Sequence, residues 1–114
     1  MNQAKLNTQL YQKMFAEQKP YRAGLLLMLP TEIPNHAYEY VCRENILLSL
    51  EYNDLSSRQA LALLKSPTPL ADVYKKLENT GGSIKMDCIW NTVATRANEV
   101  VRADFIAQRR DVAR

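Results

Sequence analysis

Glycine is scarce in this chain, with three residues in 114. Gly81-Gly82, the one adjacent pair, follows a helical pattern and lacks the lysine and hydroxyl of a nucleotide cradle, so no phosphate loop is encoded and the pair reads as a helix stop and turn. Histidine is scarcer still: His36 stands alone. Acid–base and hydrolytic chemistry usually needs a group titrating near neutrality beside a nucleophile or a metal. One histidine with no paired cysteines makes no zinc site, and carboxylates such as Glu39 and Glu44 are too ordinary on helices to argue for magnesium. The spacings GxSxG, HExxH and that of the EF-hand loop are absent too. The sequence therefore predicts a protein that is not an enzyme and holds no cofactor or metal.

Cysteine is limited to Cys42 and Cys88, far apart in helical patterns, which excludes a CxxC pair and predicts buried free thiols in a reducing compartment. Long apolar runs are missing. The longest, Ala23 to Pro30, is too short for a bilayer, and Met1 to Lys19 is too polar for a signal peptide. No membrane partner and a cytoplasmic location are the expectation. Neither charge sign dominates: 15 Lys and Arg against 12 Asp and Glu give a net charge of +3, less than a dedicated nucleic-acid binder usually carries.

What is present is helical periodicity. Leu6, Leu10 and Met14, with Tyr11 and Phe15 beside them, mark a first helix from Gln3 to Gln18. Tyr21, Leu25 and Met28 resume the stripe beyond Pro20, which predicts continuation with a kink or a prompt restart, until Pro30 and Pro34 stop it. Thr31 or Asn35 is placed to cap a second helix reaching about Glu51. One of its faces carries Ala37, Tyr40, Val41, Leu47 and Leu48, and the other Tyr38, Cys42, Ile46 and Leu50. Ser56 or Ser57 caps a third, with Ala60, Leu61 and Leu64 inward; Pro69 opens a fourth, with Leu70, Val73, Tyr74 and Leu77 inward. Ser83 caps a long fifth helix, about Ile84 to Gln108, on Met86, Ile89, Trp90, Val93, Ala97, Val100, Val101 and Phe105. With no period-two segment, the expectation is an all-α, single-domain bundle of about five helices over residues 1–114, frayed at 1–5 and 109–114.

Two features bear on partners. Ser57 to Glu78 reads as helix, turn, helix, a motif used more often for packing than for DNA. Its second helix offers Lys75 and Lys76 to a phosphate backbone, but it carries Asp72 and no Arg, Asn or Gln in its early turns. The last helix is the basic end, with Arg102, Arg109, Arg110 and Arg114, a solvated face or a surface that steers an anionic partner. Six tyrosines, Tyr38 among them, are more than a small core absorbs and suit an interface, and His36, Glu39, Tyr40 and Arg43 form a polar stripe at i, i+3, i+4 and i+7.

The strings Asn35-His36-Ala37-Tyr38-Glu39-Tyr40, Arg43-Glu44-Asn45-Ile46-Leu47, Leu63 through Tyr74 and Arg96-Ala97-Asn98 carry a resemblance. From about Leu6 to Val101 the chain resembles an uncharacterised family of small proteins encoded on phages and conjugative elements of Gram-positive bacteria. The resemblance implies an accessory protein of a mobile element and, within that context, a candidate anti-CRISPR protein acting on Cas9 or on its guide RNA. It supplies no catalytic residue. The net positive charge disfavours DNA mimicry, so the expected contacts with Cas9 or the Cas9–guide RNA complex are Tyr38, Arg43, Lys75, Lys76, Arg102, Arg109 and Arg110. The alternative is a small helix-turn-helix-like DNA-binding regulator of the element, contacting nucleic acid through the basic C-terminal helix and pairing as a homodimer along it.

Overall fold

Five helices follow one another in the computed structural model, which describes residues 2–81 and 85–113, with side chains up to Arg109. They are α1 (Gln3–Leu26), α2 (Ile33–Tyr52), α3 (Ser57–Leu64), α4 (Pro69–Asn79) and α5 (Met86–Ala113). There is no strand among the described residues. The protein is all-α, and the expected architecture holds. Ser83 and Gly82, expected to cap α5 and to end α4, lie outside the described residues.

α1 and α5 each pack against α2, α3 and α4. The core fills the space between them with Leu6, Leu10, Met14, Cys42, Ile46, Leu50, Leu63, Leu70, Val73, Leu77, Ile89, Val93 and Ala97. On α5 the stripe Ile89, Val93, Ala97 recurs every four residues; Cys88, one step round the helix, is exposed, which corrects the expectation of two buried thiols. At 24 and 28 residues α1 and α5 are about 36 and 42 Å long. The radius of gyration of 15.4 Å accordingly exceeds the ~13 Å of a compact chain of this size, and the longest dimension is 55 Å.

α1 runs unbroken through Pro20. The missing N–H falls on an exposed residue, while buried Gln18 and half-buried Tyr21 hold the helix on α2, donating to Glu44 and to the His36 carbonyl. α1 ends at Leu26, before either of the prolines expected to stop it. Pro34 instead occupies the first turn of α2, whose N-cap is Glu32 and neither Thr31 nor Asn35, since a proline inside the first turn costs no hydrogen bond. On α2 the inward set is Cys42, Arg43, Ile46, Leu47 and Leu50, so Val41 and Tyr38 face out. Ser56 caps α3 in a reciprocal capping box with Gln59. The residues α3 buries are Ala60, Ala62 and Leu63; Leu61, expected inward, is 41% exposed. Gly81, at φ +94°, makes the left-handed turn that follows α4.

α1 also completes the ends of its neighbours. The Asn7 amide pairs with both the N–H and the carbonyl of Leu55, at 2.9 and 2.8 Å, just before α3. Lys13 donates to the carbonyls of Leu64 and Ser66, where α3 closes. Glu17 accepts from the N–H groups of Leu70 and Ala71, both at 2.8 Å, at the start of α4. α4 has no side-chain cap of its own from Thr68, so a carboxylate 53 residues away supplies it.

Candidate functional site

The seven residues expected to meet a partner fall into three neighbourhoods. Arg43 is 8% exposed. Its Nε donates to Glu39 at 2.9 Å, its Nη2 lies 2.8 Å from the same carboxylate, Nη1 lies 4.0 Å from Glu17, and its guanidinium carbon sits 4.3 Å from the centroid of the Tyr21 ring. The charge is engaged within the fold, tying α2 to α1 and, through Glu17, to α4. Tyr38 is exposed on the outer side of α2, and its hydrogen bond with Cys42, then burial, push its phenol up from the ordinary value. His36 is exposed in the first turn of α2, and Tyr21 uses its carbonyl. Among the described residues, no cluster of three His, Cys, Asp or Glu is placed to hold a metal ion.

Lys75 and Lys76 border a shallow basin with Asp72, Asn79, Arg96 and Glu99, between α4 and α5. Lys75 is exposed, whereas Lys76 is paired with Glu99 at 2.8 Å. Asp72 accepts from the hydroxyls of Ser66 and Thr68, closing the turn between α3 and α4. The first two amides of α4 on this turn belong to Glu17, and Pro69 and Leu70 are buried.

The third neighbourhood is a groove of about 400 Å³ between α3 and the C-terminal half of α5. Its walls follow from helical spacing. Arg58, Leu61, Ala62 and Lys65 stand at i, i+3, i+4 and i+7 on one side; Val101, Asp104, Phe105 and Gln108 repeat that spacing on the other. Gln59 donates to Asn98 at 2.9 Å and Lys65 pairs with Asp104 at 2.6 Å, so the two walls run parallel and in register. Phe105 is 57% exposed, and the Arg109 guanidinium lies 5.8 Å from its ring centroid. Arg102, one turn before Phe105 and Ile106, is exposed beside them. The side chain of Arg110, the seventh expected contact, lies outside the described residues.

Arg58 and Lys65 line the groove against the one carboxylate of Asp104, and Arg102 and Arg109 stand exposed at its rim on the Phe105 side. Sequence reasoning found Arg102 and Arg109 through the basic end of α5, but missed Arg58, Lys65 and Leu61. The signal that could have found them is the i, i+3, i+4, i+7 set on α3, of which only Leu61 is assigned from the sequence, to an inward stripe with Ala60 and Leu64. It also missed the tip between α1 and α2, where Leu26, Leu27 and Leu29 are exposed, Leu27 to 87%.

The model of a family described as a protein of unknown function (DUF3848) matches residues 6–101, and the chain belongs to that family. No curated protein and no solved structure matches the chain.

Proposed function

We propose that this member of a family without an assigned activity is a non-enzymatic binding protein whose partner is anionic where it is touched, and that the partner is Cas9 or the guide RNA that Cas9 carries. The observation that supports the reading is the groove between α3 and α5, where Arg58 and Lys65 on the wall and Arg102 and Arg109 at the rim flank an exposed aromatic ring. Such a surface raises the encounter rate with a polyanion and offers it apolar contact once it has arrived. The setting, an accessory protein of a phage or conjugative element acting as an anti-CRISPR, comes from the resemblance of the strings at Asn35–Tyr40 and Leu63–Tyr74.

The test is retention of the tagged protein on Cas9 alone, guide-loaded Cas9, guide RNA and random duplex DNA. Selective retention on the nuclease or its guide, abolished by Arg58→Glu, Arg102→Glu and Arg109→Glu together with unchanged circular dichroism, is the expected result. Retention on none of the four baits removes the reading.

A second reading, a DNA-binding regulator using α4, is favoured by exposed Lys75 alone. Against it, the start of α4 that such a helix inserts into the major groove is occupied by Glu17. Duplex binding through about four phosphates gives a log–log salt slope near −3.6, and a flat dependence excludes it.

A further inference from the structure

We infer that the groove between α3 and α5 binds single-stranded RNA by stacking an unpaired base on Phe105, with the flanking phosphates on Arg58, Arg102 and Arg109. The choice of RNA rests on the reading that a guide RNA is the partner; the stacking rests on the groove itself. Its volume of about 400 Å³ falls in the range of small-ligand clefts, roughly 300–1,000 Å³. Packed helices have axes about 8–10 Å apart, so a groove between two of them admits a flat ring and not a duplex. Phe105 is an aromatic ring more than half exposed near the basic end of α5, with Ile106 exposed beside it. Every base has a π-face, and aromatic side chains flanked by cations are the recurring platform for single strands.

The cations are placed for that use. Lys65 is neutralised by Asp104, which leaves Arg58 on the α3 wall and Arg102 and Arg109 at the rim beside Phe105 with no carboxylate partner among the described residues. Arg109, already within 5.8 Å of the ring, is positioned to cover a stacked base or to hold its phosphate. Asp104 and Gln108 face the same space. A carboxylate in the groove repels phosphate but accepts from an exocyclic amino group, as acidic side chains do with cytosine N4. Cytosine and adenine carry that group and uracil does not, so the groove ranks C and A above U. An acidic peptide would satisfy the arginines and leave Phe105 unused.

The experiment titrates the full chain with fluorescently labelled 12-mers of C, A and U as RNA, the C 12-mer as DNA, and a 12-base-pair RNA duplex, at two salt concentrations. Single-stranded RNA should bind in preference to the duplex and to DNA, with U weakest. Phe105→Ala should weaken binding about 10- to 100-fold, with Phe105→Tyr close to the parent. Each arginine changed to Gln should lower the salt slope by about one. The decisive signal is Phe105→Trp, whose emission should be quenched by the oligonucleotide beyond any change from Trp90 in the parent. Equal binding of the duplex, equal binding of DNA, no effect of Phe105→Ala, or no quenching overturns the inference. Retention on guide-free Cas9 without RNA binding overturns it too and leaves the proposed function standing. RNA binding with base stacking, but no retention on the nuclease in any state, supports the groove and sinks the anti-Cas9 reading.

Discussion

Removing the Glu17 carboxylate should cost this protein more than any other single change at a residue its local sequence marks as ordinary helix surface. Glu17 accepts from Leu70 and Ala71 at 2.8 Å each and lies 4.0 Å from Arg43, with its side chain 13% exposed. Loss of an N-cap acceptor costs about 0.5–2 kcal/mol. A negative charge at a partly buried helix N-terminus adds up to ~2 kcal/mol, because the orphaned amides regain no water there. Arg43 keeps Glu39 at 2.8 Å, so no buried cation is stranded. Glu17→Ala should therefore destabilise by about 3 kcal/mol, a fall of roughly 12 °C in Tm at ~4 °C per kcal/mol for a domain of this size. Glu17→Gln retains one acceptor and loses the charge, so it should fall about midway. The assay is urea and thermal unfolding followed at 222 nm, with Asp54→Ala, an exposed acid, as the control expected within ~0.5 kcal/mol. If Glu17→Ala matches that control, α4 does not depend on its borrowed cap and the reasoning fails.

Burial first, then the hydrogen bond to Glu78 and the charge of that carboxylate, push the Tyr74 phenol well above its ordinary value near 10. The unfolded chain therefore loses the proton first: the stabilisation is complete below about pH 10 and declines above it. Urea midpoints at pH 8 and 10.5 should show a shallower decline for Tyr74→Phe than for the parent, and identical declines would contradict this. Pro20→Ala should raise stability by about 1–2 kcal/mol, since an interior proline costs ~3 kcal/mol and returns up to ~1 through the unfolded chain; a lower Tm would mean that α1 needs the proline to dock. Leu26→Ser with Leu27→Ser should leave Tm within the spread of surface changes, about 0.5 kcal/mol each. A large drop there, checked by light scattering, would reveal that copies cover the tip in solution. Ile89→Ala, at a fully buried site, should cost about 2–5 kcal/mol in the same unfolding assay.

Periodicity made the elements legible because each helix buries one stripe: Leu6, Leu10 and Met14 on α1, Leu70, Val73 and Leu77 on α4, and Ile89, Val93 and Ala97 on α5. Caps were legible where they are local, as at Ser56, and illegible where they are tertiary, as at α4. Arg43 read as a surface cation because spacing does not reveal that Glu17, Glu39 and Tyr21 converge on it. The same blindness worked in reverse at Leu61, whose apolar side chain fits a core stripe but lines a groove that exists only once α5 is laid beside α3. Half of the candidate site, Arg102 and Arg109, followed from local charge. The other half needed the register set by Gln59 with Asn98 and Lys65 with Asp104.

Asn7, Lys13 and Glu17 make α1 a ruler against which the next part of the chain is measured. Their graduations lie about 9 and 6 Å apart along a rigid rod, and the segments they grip, at Leu55, at Leu64 with Ser66, and at Leu70, cannot change length without losing a grip. Insertions that most surface connections absorb should be refused between residues 55 and 70. A fragment of α3 and α4 cut free of α1 would keep the Ser56 cap but forfeit the close of α3 and the start of α4, so this helix-turn-helix is not a module that recombination could move to another protein intact. Variation is admitted instead at the far end of α1, beyond Tyr21, where Leu26 and Leu27 are exposed.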